Sequence, residues 1–183
     1  MVAVPSYVAF LRAVNVGTRF VRMAELRTAL EDAGFTDVET HIQSGNVHVR
    51  SRRRSPGAVA TEMARVLGEW AGFEVPCVVR TPAQLHALVE EVDAVPALLP
   101  GPGRRYVALA DGEVPADAAR TLEDWDRPGE AARALTGAVL AELTVDFHRS
   151  TLTNARIERI TGLTTTWRGL EVVRTVDDRW GER

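Results

Sequence analysis

Residues 7 to 14, Tyr-Val-Ala-Phe-Leu-Arg-Ala-Val, constrain the fold more than any other stretch. The run is apolar on both faces of a strand except at Arg12, and such a strand is expected at the centre of a sheet. The segments after it must supply its neighbours and its cover. Met23, Leu26, Leu30 and Ala33 fall at helical spacing, with Gly34 as the stop. Residues 38 to 50 read as a hairpin turning at Ser44-Gly45. Ser55-Pro56 opens a second helix with Val59, Met63, Val66, Leu67 and Trp70 on one stripe and Gly72 at its end. Residues 75 to 80 form a short strand, and Pro76 confines it to an edge. The order β-α-β-β-α-β is satisfied by a sheet of strand order 4-1-3-2 with helices on one face, the ferredoxin-like arrangement.

Thr81, Pro82 and Gln84 then mark a helix start, followed by the stripe Leu85, Leu88, Val89 and Val92. Residues 96 to 103, PALLPGPG, read as a linker. The same element order recurs after it. Tyr106 to Ala110 is a strand and Pro115 to Trp125 a helix. Residues 130 to 136 and 138 to 147 are a hairpin around Gly137, Thr151 to Thr161 a helix, and Thr164 to Trp167 a strand. Leu170 to Val176 suits a helical turn or a strand equally. The expected class is α+β, with two ferredoxin-like halves, the second degenerate. The expected division is 1–80 for the first half, 81–103 for a helix and linker, and 104–183 for the second half.

The two motifs in the first half resemble those of a bacterial family known as domain of unknown function 1697. That family carries a tyrosine-led strand ending in LRGINVGG, a helix near K-M-x-x-L, and QSGN. Here these read Leu11-Arg12-Ala-Val-Asn15-Val-Gly17, Met23-Ala-Glu-Leu26 and Gln43-Ser44-Gly45-Asn46. The spacing fits over about the first 80 residues. Near the C-terminus the family pattern TTRNWxTV meets Thr164-Thr-Thr166-Trp167-Arg168, which keeps the tryptophan and lacks the Arg-Asn pair before it. The resemblance implies an α+β protein of ferredoxin-like halves and implies no activity.

Composition limits the chemistry. All 22 basic residues are arginine and none is lysine, so lysine Schiff-base and Walker-type phosphate chemistry are excluded. Any anion site must use arginine, histidine or backbone N–H groups. A formal charge of −3 argues against bulk affinity for nucleic acid. The single cysteine, Cys77, reads as a small packed residue on an edge strand. No apolar run reaches the length of a membrane span, and Met1 to Pro5 shows no secretory signal, so the expected location is the cytoplasm.

Around Ser44-Gly45, two-residue closure would pair Gln43 with Asn46, Ile42 with Val47, His41 with His48 and Thr40 with Val49. One face would then carry Val38, Thr40, Ile42, Val47 and Val49, and the other Glu39, His41, Gln43, Asn46, His48 and Arg50. A His41–His48 pair lacks a third metal ligand at supporting spacing. The Arg50 and Arg52–Arg54 loop has no aromatic partners on the third strand for base stacking. Gly101-Pro-Gly103-Arg-Arg105 lacks G-K-[ST], and Pro102 removes a donor, so it reads as linker. Trp180 is expected exposed or at an interface.

The reading that follows is a binding or regulatory module for a small polar or anionic ligand. Its candidate residues are Arg12, Asn15, Gln43, Ser44 and Asn46, closed by Arg168. The alternatives are a protein-interaction domain and an enzyme using His41 or His48 as general acid or base beside Arg12. Nucleic-acid binding through the arginine loop ranks last. Whether the chain is an enzyme stays open, no cofactor is expected, and a homo-oligomer is compatible with the pattern.

Overall fold

The computed structural model describes residues 4–15 and 20–182. Val16-Gly17 of the loop motif and residues 1–3 of the N-terminus lie outside them. The fold is mixed α+β, with two four-stranded antiparallel sheets and six α-helices among the described residues. By internal contact the chain forms two units, Met1–His86 with Val176–Arg183, and Ala87–Thr175. By this grouping the first boundary falls between His86 and Ala87, and the second between Thr175 and Val176.

The first unit holds β1 (Ser6–Leu11), α1 (Met23–Asp32), β2 (Thr36–His41), β3 (Asn46–Arg50), α2 (Pro56–Ala71) and β4 (Cys77–Arg80). Its strand order is β2-β3-β1-β4, so β1 is central and β4 is an edge. Pro76 precedes β4 and removes no ladder hydrogen bond from it. Ala9, Leu11, Val47 and Val49 meet Leu26, Leu30, Val59 and Met63 of α1 and α2 in one core. Val8, Phe10 and Val78 on the opposite face are buried as well, so β1 is covered on both sides. Trp70 does not join the α2 stripe; it is 38% exposed. Cys77 is buried, and that burial pushes its thiol up to about 12, which makes it unreactive at neutral pH.

The helix boundaries follow the local chemistry. The Ser55 hydroxyl accepts from Ala58 N–H, and Gly72 closes α2 at φ 76°. Thr81 and Gln84 form a reciprocal capping box at α3 (Pro82–Ala94). Gln84 N–H donates to Thr81 Oγ1 at 3.1 Å, and Thr81 N–H to Gln84 Oε1 at 3.0 Å.

The second unit is built from β5 (Arg104–Ala110), α4 (Ala116–Glu123), β6 (Glu130–Leu135), β7 (Ala138–Leu143), α5 (Asn154–Thr161) and β8 (Thr165–Gly169). Its strand order is β6-β7-β5-β8. Ala108, Val139 and Ala141 pack with Leu122, Leu152 and Ile157. The run before β5 is held by buried Glu142, which accepts from Leu98 N–H, Leu99 N–H and Arg105 Nε. Residues 170 onward form α6 (Leu170–Trp180), whose last turn belongs to the first unit.

Two expectations are corrected. The β2–β3 connection is four residues, Ile42 to Gly45, and the pairs are Glu39↔His48, Thr40↔Val47 and His41↔Asn46. His41 and His48 are not cross-strand partners. The expected register differs from this by two residues, which keeps every paired side chain on its assigned face. Ile42 alone leaves the apolar face, entering the turn at φ 51° and 49% exposed. Trp180 is not exposed: it is 8% accessible, its ring lies 5.7 Å from that of His48, and its Nε1 donates to Glu39 Oε2. The same turn brings Arg179 to Glu39 at 3.5 Å.

Candidate functional site

Five of the six candidate residues gather at one end of the first sheet. Arg12 and Asn15 follow β1, Gln43 and Ser44 belong to the β2–β3 turn that returns beside them, and Asn46 opens β3. Leu11 N–H donates to Gly45 C=O at 2.8 Å and ties the two segments together. Asn15, at φ 56°, uses both ends of its amide on backbone. Its Nδ2 donates to Gln43 C=O at 2.6 Å and its Oδ1 accepts from Val21 N–H at 2.7 Å. Asn46 is wholly buried and donates to His41 C=O and Ser44 Oγ. The Asn15 and Asn46 amides are therefore engaged in shaping the turn, whereas the Gln43 side chain is exposed. Phe20 and Ile42, each one residue from a group bound by Asn15, are 72% and 49% exposed.

The histidines are placed differently from one another. His48 Nδ1 lies 3.0 Å from Asp37 C=O, which only accepts, so this nitrogen carries the proton. In the neutral ring Nε2 then accepts from Ser6 Oγ–H at 2.6 Å. His41 stands at the end of β2 beside Asn46. Two of the four arginines of the loop are paired with carboxylates. Arg50 pairs with Asp37 at 3.1 Å, and Arg53 pairs with Glu62 at 3.0 Å while lying 5.6 Å from the centre of the Phe35 ring.

Arg168 belongs to the second unit, on β8. It is 8% exposed, and burial pushes its guanidinium down to about 10, so it stays charged at neutral pH. Its Nη1 donates to Thr166 Oγ1 and Trp167 C=O.

The second unit also contains a cleft of about 590 Å³. Gly103, Arg104, Arg105, Tyr106, Gly169 and Leu170 line it, joined by Glu171 and Arg174 from the first turns of α6. Its position follows from strand lengths. β5 begins at Arg104, whereas β8 ends at Gly169 opposite Tyr106, so two residues of β5 run past the end of its neighbour. Arg105 is held by Glu142, and Arg174 by Asp93 and Glu171. Arg104 is exposed, and among the described residues it has no ion-pair partner. In the sequence Gly103 to Arg105 reads as linker, and nothing there marks Arg174. Only three-dimensional proximity joins them.

The chain matches the model of the family described as protein of unknown function (DUF1697) over residues 4–140. No curated protein matches it. Among solved structures it is similar to a conserved bacterial protein from Streptococcus pneumoniae, at a TM-score of 0.73 and 18% identity. That likeness covers 97% of this chain and 99% of the other and concerns the fold alone.

Proposed function

The chain belongs to the DUF1697 family of proteins of unknown function, and we infer its role from its own residues. On those residues we propose a binding module for a small anionic ligand seated in the second-unit cleft. We read each sheet with its helices as one ferredoxin-like half, the second having diverged. The carrying observation is the cleft of about 590 Å³ with Arg104 unpaired at its rim. That volume lies within the range of about 300–1,000 Å³ common for small-molecule sites. Arg105 and Arg174 already have carboxylate partners, so they shape the local field while Arg104 is the group left to bind. The Arg12–Asn46 end of the first sheet is scaffold in this reading, since the Asn15 and Asn46 amides are spent within it.

Calorimetric titration with inorganic phosphate at low salt tests this. Arg104→Ala is expected to weaken binding by roughly tenfold or more, the weight of one charge-assisted hydrogen bond, and Arg12→Ala to leave it unchanged. Loss of binding in the Arg12 variant alone would return the site to the first unit. Absence of phosphate binding at millimolar concentration would remove the proposal.

One observation favours a second reading, a protein-interaction surface. Phe20 and Ile42 are large, exposed and anchored through the same Asn15 amide. Under this reading sedimentation gives a mass that rises with concentration or with an added partner, and Phe20→Ser abolishes the rise.

A further inference from the structure

We infer that the ligand is a phosphate ester carrying a planar heteroaromatic ring, of the nucleotide kind, laid along β5 from Arg104 toward Phe147. This rests on the anion-binding reading above and adds the chemical class of the ligand. Residues two apart on a strand share a face, so Arg104 and Tyr106 stand side by side. Tyr106 lines the cleft and is also the first of three rings in mutual contact. Its centroid lies 5.0 Å from that of Phe147 and 5.9 Å from that of Trp167, and the latter two are 5.6 Å apart.

The cluster has more aromatic surface than the fold consumes. The core below it is aliphatic, with Tyr106 and Trp167 at its margin. Phe147 is 43% exposed although it sits on a fixed 3-10 turn, Phe147–Arg149, where Asp146 Oδ1 caps the His148 N–H at 2.8 Å. Trp167 Nε1 is buried without a hydrogen-bond partner among the described residues, an unmet donor in the same cluster. A guanidinium next to a partly open cluster of tilted rings suits a ligand with a charged group at one end and a π-face at the other. Stacking of a base on such a ring is sequence-tolerant and substantial. An apolar partner surface would have no use for the adjoining cation, and inorganic phosphate would have none for the rings.

The test is calorimetry at low salt with three probes: inorganic phosphate, adenosine monophosphate and adenosine. The nucleotide is expected to bind at least about tenfold more tightly than phosphate, and adenosine more weakly than the nucleotide. Tyr106→Leu should bring the nucleotide down to the phosphate level. Phe147→Ala, at an exposed position outside the core, should act in the same direction and stands as the measure if Tyr106→Leu misfolds. Arg104→Ala should weaken nucleotide and phosphate alike. Equal affinities for nucleotide and phosphate, both dependent on Arg104, would overturn the ring inference and leave the anion reading standing. A nucleotide preference untouched by both aromatic variants would also overturn it. Adenosine binding as tightly as the nucleotide, or no binding by any probe, would overturn both.

Discussion

The amide of Asn46 is closed to solvent, and it donates to the carbonyl of His41 and the hydroxyl of Ser44 across the turn. Removing it takes a donor from two part-buried acceptors in a closed site, which costs more than an ordinary exposed hydrogen bond. Asn46→Ala is expected to destabilise the chain by about 1–3 kcal/mol, read as a lower denaturant midpoint at unchanged slope. A loss below a few tenths would mean that the amide is not structural and would reopen it as a ligand donor. Gly45 is constrained in two ways at once: φ is 77°, and a Cβ there would stand 2.8 Å from Leu11 Cβ. These contacts explain why Gln43-Ser44-Gly45-Asn46 stands out as a motif. Its residues are visible in the sequence, but the ties of Gln43 to Asn15 and of Gly45 to Leu11 are not, because those partners lie on another segment. Asn15 and Gln43 are 28 positions apart. Arg104 shows the reverse: it was visible and read as linker, because nothing in Gly-Pro-Gly-Arg-Arg reveals that β8 stops short beside it.

At the scale of elements, local signals carried far and non-local ones did not. Helix starts at Ser55 and Thr81 and the stop at Gly72 depend on side chains within three residues of the helix end, so composition alone exposes them. The hairpin register depends on how many residues the turn needs. Positive φ at Asp37 and Ile42, neither of them glycine, produces an irregular β2 and a four-residue connection that Ser44-Gly45 does not announce. Alternation has a period of two, so a slip of two residues left the faces right and the pairs wrong. The tie between β7 and the run before β5 has no sequence signal either, and it makes a pH prediction. Burial opposes charge on Glu142, yet hydrogen bonds from Leu98 N–H, Arg105 and Leu99 N–H outweigh it and hold the carboxyl below its ordinary value. A depressed carboxyl pKa contributes stability above its unfolded value, near 4.3, and loses it as the pH falls through the folded value. Wild type should therefore lose more stability between pH 7 and pH 3 than Glu142→Gln does, measured as thermal midpoints. Parallel losses in the two proteins would show that the carboxylate contributes nothing beyond its shape.

Across the whole molecule, the last turn of α6 completes the first unit. Val176–Arg183 groups with the first 86 residues, so the first unit is assembled from both ends of the sequence. Trp180 is the visible agent, stacked near His48 and bonded to Glu39 across 141 positions. A charged tail points to solvent when only its neighbours in sequence are considered, and a contact at that separation leaves no local trace. Truncating a large buried aromatic costs roughly 3–5 kcal/mol. Trp180→Ala should therefore loosen the face of the sheet that carries Glu39 and His48. Hydrogen exchange locates the effect, because opening free energies are regional. Faster exchange is expected at Thr36–His41 and Asn46–Arg50, with Arg104–Ala110 and Ala138–Leu143 unchanged. Equal acceleration in both units would mean that they open as one cooperative body, and the C-terminal turn would then be a clamp on the entire chain instead of a strap on its first unit.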